Sequence, residues 1–248
     1  MDEEGACVQQ LDTLLNPPRL VYVTPSHNNP LATPMSAARR VALLCFADRH
    51  DSLIIENDRM NHYRYATRPI PPLQSLAPSK ETVIYLSSFE SVLEPLIRLA
   101  FVVVPQNLVH LFAAGARHFR HDVPHLDQLV LADMLKSGSL EQHIHRSTLV
   151  LANNRRALAI ALMKSFRRDV KIKSESVGTC LAIKFQMGLA KTSVIRAASL
   201  AGLSLGTTAS FYLMQNPPDD EFLVSFANID VEAIDTQVNE FARDLMHQ

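Results

Sequence analysis

The polar residues between Tyr85 and Pro105 are the part of this chain whose types and spacing could do chemistry. The segment YLSSFESVLEPLIRLAFVVVP reads as a strand, a polar turn, the start of a helix and a second strand. Turns at strand ends hold the reactive groups of α/β proteins, because the sheet keeps those groups rigid. The polar side chains of this segment are Ser87, Ser88, Glu90, Ser91 and Arg98.

The same turn lacks a primary amine, since no lysine lies between Lys80 and Lys136. Ser91 could act as a nucleophile only with a neighbouring base, and Glu90 is adjacent in sequence and so points elsewhere. The sequence therefore favours a serine at a helix start, with no catalytic role.

Three histidines near the middle of the chain, in HFRHDVPH, suggest a metal site at first sight. They are His118, His121 and His125. Pro124 interrupts the helix that would align them, and no cysteine or carboxylate pattern completes a ligand set. We therefore predict no metal site.

The elements that must position the polar turn begin with four short apolar runs. Ser36 has the position of a helix N-cap between the first two runs, before AARRVALLCFADRH with its helical spacing. Apolar strands separated by helices or long crossovers are typical of a mostly parallel sheet, so an α/β fold is predicted. The predicted strands are Leu20–Thr24, Ser52–Glu56, Thr82–Leu86 and Leu99–Val104.

Helical patterns follow, and then a second region of strands. Helices are predicted over Leu108–Phe119, Leu126–Lys136 and about Leu140–Arg167. VKIKSES, TCLAIKF and EFLVSFANI predict a small antiparallel sheet, with helices at Thr192–Ala201 and Val231–Met246. The predicted organisation is a large domain over 1–139, a linking helix over 140–168 and a small α+β domain over 169–248.

Composition predicts a soluble cytoplasmic protein. The 248 residues are 47% hydrophobic and 20% charged, and the net charge of −1 gives no support for direct nucleic-acid contact. Three dispersed cysteines indicate a reducing compartment. No run reaches the ~18 apolar residues that a membrane helix needs, so no membrane partner is predicted. The basic pair Arg39-Arg40 is expected on a solvated helix face.

In order along the chain, six segments resemble the aminotransferase-like domain of MocR/GabR-type regulators, a branch of the fold-type I proteins that bind pyridoxal 5'-phosphate (PLP). The resemblance spans essentially the whole chain. It implies a partial large domain with a mostly parallel sheet, plus the small α+β domain. The segments are DEEG from Asp2, VYVTPSHNNP from Val21, IIENDRMNHYRY from Ile54, RPIPPLQSL from Arg68, YLSSFESVLEPLIRLAFVVVP from Tyr85 and LEQHIHR from Leu140.

The resemblance begins part-way through the family's large domain. It therefore implies an N-terminally truncated domain without the winged-helix DNA-binding domain and without the outer strands of the sheet. Family membership also implies a homodimer, because fold-type I sites form between two subunits. The expected partners are a second copy, a small-molecule ligand, or a partner chain that supplies the missing half of the sheet.

The alignment places Ser91 where the family has the lysine that forms a Schiff base with PLP. Imine formation needs a primary amine, so the resemblance implies that the catalytic lysine is replaced and that no catalytic residue remains. Glu90 stands where the family has a small residue near the phosphate, and its carboxylate would repel that dianion. No bound cofactor is therefore expected.

Other family positions are partly kept. Asn57 replaces the aspartate that pairs with the pyridine nitrogen, Asp58 could serve if the register slips by one, and Arg59 replaces a tyrosine. Ser88 and Arg98 match positions that hold the PLP phosphate in relatives, and Asn29 matches the Asn-Pro loop. The predicted cofactor contacts are thus Ser88, Arg98, Asn29, Asn57 and Asp58, and PLP remains open as a ligand if this phosphate site is kept.

The leading hypothesis is a catalytically inactive aminotransferase-like domain that senses a ligand or binds a partner. The alternative is an active PLP-dependent aminotransferase that acts on an amino acid through Lys184 or Lys191. A third reading is a transcriptional regulator that acts through a separate DNA-binding protein, and a fourth is a degraded gene product.

Overall fold

The computed structural model of the chain describes residues 2, 4–28, 33–60, 62–65, 70–78, 81–119, 123–174, 177–212 and 216–246. The chain divides into two compact units. The N-terminal unit contains Met1–Asn28 and Thr33–Ile144, and the C-terminal unit contains His145–Gln248. The longest helix, α6 (Ser139–Phe166), begins in the first unit and ends in the second.

Four strands form the sheet of the N-terminal unit. They are β1 (Leu20–Val23), β2 (Leu53–Asn57), β3 (Val83–Ser88) and β4 (Ala100–Val103), and they lie in that order across the sheet. β1, β2 and β3 run parallel, whereas β4 is antiparallel to β3. The mostly parallel α/β sheet predicted from the apolar runs is confirmed.

One face of this sheet packs on helix α1 (Ala37–His50) and on the short helix α2 (Leu73–Leu76). Side chains alternate between the faces of a strand, so one face of β1, β2 and β3 contributes to this core. The strand contributions are Val23, Ile54 and Val83, which lie in one cluster with Leu43 and Leu73. The opposite face is more open, and Leu20 and Tyr22 on it are exposed.

Local sequence explains where α1 begins and ends. The hydroxyl of Ser36 accepts a hydrogen bond from the Arg39 N–H, as its predicted N-cap role requires. Asp51 follows the helix in the left-handed region, with φ of 50°. Arg49 and His50 in the last turn are placed favourably for the helix dipole.

The remaining elements of the N-terminal unit are helical. They are two 3-10 helices, η1 (Val8–Thr13) and η2 (Gln106–Leu108), the short α3 (Glu90–Leu93), α4 (Val109–Phe119) and α5 (His125–Ser137). The prediction of helices over Leu108–Phe119 and Leu126–Lys136 agrees with α4 and α5. Across the part of the chain that the structure describes, no helix is both long and apolar enough to cross a membrane.

A second, antiparallel sheet forms the C-terminal unit. Its strands are β5 (Val170–Ser174), β6 (Cys180–Phe185), β7 (Leu205–Thr207) and β8 (Glu221–Ser225), in the order β5-β6-β8-β7. The other elements are α7 (Lys191–Leu200), the 3-10 helix η3 (Ala209–Phe211) and α8 (Ile234–Met246). Four buried phenylalanines that contact one another through their rings lie in the core of this unit: Phe166, Phe185, Phe222 and Phe241.

The expectation that Arg39 and Arg40 lie on a solvated face is wrong. Arg39 is 8% exposed and donates through both terminal nitrogens to the carboxylate of Asp2. That hydrogen bond, and more weakly the positive charge, lower the pKa of Asp2. Arg40 is fully buried. The sequence offered a signal for it, because Leu43, Leu44 and Ala47 lie three, four and seven residues further along the helix, on the buried face.

Candidate functional site

The carboxyl ends of the parallel strands bring the predicted polar residues to one edge of the sheet. β2 ends at Asn57, which Asp58 follows, and β3 ends at Ser88. Open α/β sheets bind ligands in the crevice at this edge. Ser88 and Asp58 are both buried there.

The turn after β3 makes its polar contacts within the chain. The Ser88 hydroxyl oxygen accepts a hydrogen bond from the Glu90 N–H at 2.9 Å. The Ser91 hydroxyl donates to the Arg59 carbonyl at 3.1 Å, which connects the turn to the end of β2. Glu90 Oε2 lies 4.0 Å from Arg59 Nη1. Ser91 is thus a side-chain donor to the backbone.

Asp58 fixes the end of β2 against β3. Its carboxylate accepts a hydrogen bond from the Tyr85 hydroxyl at 3.0 Å, and its N–H donates to the Leu86 carbonyl at 2.8 Å. Burial, and then the charge of Asp58, raise the pKa of the Tyr85 phenol, so the phenol stays protonated as a donor.

Asn57 and Arg98, two of the other predicted contacts, have partners of their own within the chain. Asn57 donates from Nδ2 to the hydroxyl oxygen of Tyr22 at 2.6 Å and accepts from the Arg59 N–H through Oδ1. Arg98 has a side chain that is 69% exposed, and it lies 3.8 Å from the carboxylate of Glu94, four residues earlier in the chain. Asn29 lies outside the described residues. Arg98 and Ser88 therefore contact different partners.

His62 is a residue of this edge that sequence reasoning missed. Its Nε2 lies 3.3 Å from the Ser88 carbonyl, and its ring stacks on Phe89 with 6.3 Å between centroids. Phe89 in turn contacts Phe101 at 5.6 Å, and Phe101 contacts Tyr85 at 6.1 Å. An isolated histidine after a strand gave no sequence signal, because its partners come from the next two strands.

Burial lowers the pKa of His62, opposed by the Ser88 carbonyl and by Asp58, while Arg64 adds to the lowering. The unfolded chain therefore takes up a proton at a higher pH than the folded chain. We expect stability to fall as pH drops below about 6.5, the ordinary pKa of histidine, and to be unaffected by this group above that value.

Thermal melting at pH 5.5 and 7.5 checks this expectation. The H62Q variant keeps a hydrogen-bond donor for Ser88 and should lose part of the difference in melting temperature between the two pH values. The H145Q variant is the matched control, because His145 is exposed. If H62Q and wild type shift equally between the two pH values, the expectation is wrong.

A buried ion pair connects the elements around β2, the strand that ends at this edge. Arg40 and Glu56 are fully buried, with 3.8 Å between Nη1 and Oε1. Arg40 also donates to the carbonyls of Met35, Pro71 and Pro25, and the Glu56 carboxylate accepts from the N–H groups of Leu73 and Gln74, at the start of α2. The pair joins α1, β2, α2 and the segment after β1.

The described residues of this edge include no lysine that could form an imine with PLP. Lys136, exposed near the end of α5, is the one lysine among the described residues of the N-terminal unit, and the turn after β3 holds Ser91 instead. The Glu90 carboxylate stands at that turn, and its backbone N–H, which would be a donor to an anion, is hydrogen bonded to Ser88. Among the residues that the structure describes, this turn holds no primary amine, and the Glu90 N–H is already hydrogen bonded within the turn.

Within the described residues, no group of three or more histidine, cysteine, aspartate or glutamate side chains could hold a metal ion. His118 and His125 are exposed on α4 and α5, and His121 lies outside the described part of the chain.

A cavity of about 390 Å³ lies at the opposite, amino-terminal edge of the sheet. It opens beside the starts of β2 and β3 and includes none of the predicted site residues. Its charged lining residues are Arg19, Asp48, Asp51 and Glu81.

Comparison with known proteins shows what this chain and its fold are similar to. No protein-family model matches the chain. It is 32% identical to the uncharacterized HTH-type transcriptional regulator YhdI of Bacillus subtilis over 216 residues, which make up 87% of this chain and 45% of the relative. It is 31% identical to the probable rhizopine catabolism regulatory protein MocR of Rhizobium meliloti over 223 residues, 90% of this chain and 45% of the relative.

The solved structure of LysN, an alpha-aminoadipate aminotransferase from Thermus thermophilus, has the same fold. The TM-score is 0.84 at 26% identity, over 99% of this chain and 64% of that chain. The chain spans about half the length of the curated regulators that it matches.

Proposed function

We propose that this chain, a homologue of MocR-type regulators and of aminotransferases with the fold-type I aminotransferase fold, is a non-catalytic domain that senses a ligand or binds a partner. The observation that carries the proposal is the turn after β3. The hydroxyl of Ser91 donates to the backbone of Arg59 there, at the position that the resemblance assigns to the Schiff-base lysine.

Charge at the same turn supports the proposal. Two like charges at close range repel strongly where water is partly excluded, and a phosphate dianion beside Glu90 would meet such repulsion. Arg59 and Arg98 could offset it, but each already lies near a carboxylate, Glu90 and Glu94 respectively. A 5'-phosphate would have to displace both pairs.

The alternative, an aminotransferase using another lysine, has less support. Lys184 lies 3.0 Å from the carboxylate of Asp220, and Lys191 lies 3.8 Å from that of Asp219. A lysine that forms an imine needs its amine free to attack an aldehyde, whereas both of these side chains lie within ion-pair distance of a carboxylate. Both lysines therefore have an environment suited to an ion pair.

The proposed role in regulation follows from the relatives and has two parts. A second copy of the chain is the proposed partner, as the resemblance implies for fold-type I proteins. DNA contact is not assigned to this part of the chain, because its net charge of −1 gives no support for direct nucleic-acid binding.

Borohydride trapping tests the lack of a covalent cofactor. The purified chain is mixed with PLP, reduced, digested and mapped by mass spectrometry. We expect only low, scattered labelling of exposed lysines and no absorption band of a protein-bound imine. The Thermus thermophilus aminotransferase, treated in parallel, is the positive control for trapping.

A stoichiometric adduct at one lysine would overturn the proposal. If the adduct were lost in the K184A variant or in the K191A variant, with the other variant still labelled, the aminotransferase alternative would replace it. Each of these variants serves as the control for the other.

A further inference from the structure

The loop between β1 and α1 borders the candidate site. This β1–α1 loop comprises residues 24–36, of which 24–28 and 33–36 are described, and it leaves β1 at the carboxyl edge of the sheet. The Ser26 hydroxyl, which is 1% exposed, accepts a hydrogen bond at 3.1 Å from Nη2 of Arg64, in the segment after β2 that also carries His62. The conformation of the loop therefore contributes to the shape of the site.

A turn near the start of the chain packs against this loop. Asp2 and Gly5 close the turn with two backbone hydrogen bonds, of 3.0 Å and 3.1 Å, and Gly5 has a φ of +92°, in the region that favours glycine. A Cβ atom on Gly5 would lie 2.6 Å from Nδ2 of Asn28 and 3.0 Å from Cα of Met35, which are both buried. Any other residue at position 5 must therefore displace the loop or the turn.

The first turn of α1 anchors this Asp2–Gly5 turn. Arg39, which is 8% exposed, donates to the carboxylate of Asp2 and to the carbonyl of Gly5. The Ser36 N–H donates to the Glu4 carbonyl at 3.2 Å. The side chain and the backbone of the turn are thus both attached to the helix that follows the loop.

The loop is closed by its own hydrogen bonds at the place where the turn contacts it. The Met35 N–H donates to the Pro25 carbonyl at 2.7 Å, which joins the two ends of the loop. Asn28 donates to the Thr33 carbonyl from its N–H and, at 2.9 Å, from Nδ2. The two residues nearest to Gly5 are therefore the ones whose hydrogen bonds set the loop conformation.

We propose that the Asp2–Gly5 turn is a latch that keeps the β1–α1 loop in the conformation in which it borders the site. Arg39 fixes the turn, and the turn confines the loop. The proposal rests on the proposed function, because the site that the loop borders is the one assigned there. Release of the latch frees the loop and leaves the sheet folded, since the turn takes no part in the pairing of β1, β2 and β3.

Alanine at position 5 tests the latch by amide hydrogen exchange. In G5A the Asn28 and Met35 amides should exchange about tenfold faster than in wild type, because backbone strain and the contact with Asn28 both favour the released loop. Two other glycines supply matched controls. G138A introduces the same kind of strain, at a φ of +72°, and G115A adds a methyl group within a helix, and neither added Cβ would have a neighbour within 4 Å. Both controls should keep the wild-type exchange at the two loop amides.

A second variant leaves the backbone of the turn unchanged. D2A removes the carboxylate that Arg39 binds, and it should fold because the Asp2 side chain is 48% exposed. The same two loop amides should exchange several-fold faster than in wild type. D12A is the matched control, because the Asp12 side chain is also 48% exposed and pairs with Arg49 of the same helix. This control should keep the wild-type exchange in the loop.

The amides of β1, β2 and β3 distinguish a latch from a general support of the N-terminal unit. They should keep their protection in G5A and D2A. Loss of protection throughout this sheet would overturn the proposal, and so would loop exchange in D2A that equals that of D12A. A stoichiometric PLP adduct in the trapping experiment would overturn the non-catalytic role and leave the latch standing.

Discussion

Replacing Arg40 by methionine is expected to lower the free energy of unfolding by about 3–5 kcal/mol, the range found when one partner of a buried ion pair is removed. Methionine fills much of the space but leaves Glu56 as an uncompensated buried carboxylate. It also removes the Arg40 donor from the carbonyls of Met35, Pro71 and Pro25, of which Pro25 keeps the Met35 N–H. A loss of this size is a large part of the total stability of a typical domain.

The pH dependence of this loss provides an independent check. Burial raises the pKa of Glu56, opposed by the N–H donors of Gln74 and Leu73 and by Arg40. Without Arg40 the pKa of Glu56 rises further, so the folded variant accepts a proton more readily than the unfolded chain. The deficit relative to wild type should therefore be smaller near pH 4.5 than at pH 7.5.

Urea denaturation at both pH values measures these quantities. The R49M variant is the matched control, because Arg49 lies on the same helix and forms an exposed ion pair with Asp12 at 3.1 Å. Exposed pairs contribute about 0–1 kcal/mol, so R49M should stay close to wild type. Equal stabilities of R40M and R49M would contradict the structural role of the buried pair.

Replacing Phe185 by alanine is expected to cost about 3–5 kcal/mol in the C-terminal unit. The ring is 1% exposed and contacts three other phenylalanines, with centroids 5.1 Å from Phe166, 5.9 Å from Phe222 and 6.0 Å from Phe241. Edge-to-face contacts of this kind add to the free energy of burial. The cavity that remains would face rigid neighbours from α6, β8 and α8.

Hydrogen exchange with mass spectrometry locates this effect. The method does not depend on tryptophan fluorescence, and this chain has no tryptophan. In F185A the amides of β6 and β8 should lose protection, whereas those of β1–β3 should keep theirs. The F211A variant is the control within the same unit, because Phe211 is 49% exposed. Loss of protection over both units alike would show that they unfold together, contrary to this prediction.

Periodicity explains why most elements could be predicted from the sequence. Strands of buried apolar residues and helices with one apolar face are local patterns, and both sheets follow from them. β7 was missed because it is only three residues long and contains Gly206, so it carries no alternating signal. Its identity as a strand depends on pairing with β8, which comes fourteen residues later in the chain.

Less of the candidate site than of the fold could be predicted from the sequence. Its position at the strand ends could be predicted, and Asn57, Asp58 and Ser88 do lie at the same edge. The contacts that define its chemistry could not, because they join residues far apart in sequence, such as Ser91 with Arg59 and His62 with Ser88. The roles that the resemblance gives to Asn29 and Arg98 stay predictions.

The strand order of the two sheets has a consequence for synthesis on the ribosome. In the N-terminal unit the spatial order β1-β2-β3-β4 is also the chain order, so each strand after the first finds its neighbour already made as it emerges. In the C-terminal unit, whose strand order is β5-β6-β8-β7, β7 emerges before β8. Among the described residues, β8 is the one strand that pairs with β7. The first sheet can therefore grow strand by strand during translation, whereas the second closes only after its last strand has left the exit tunnel.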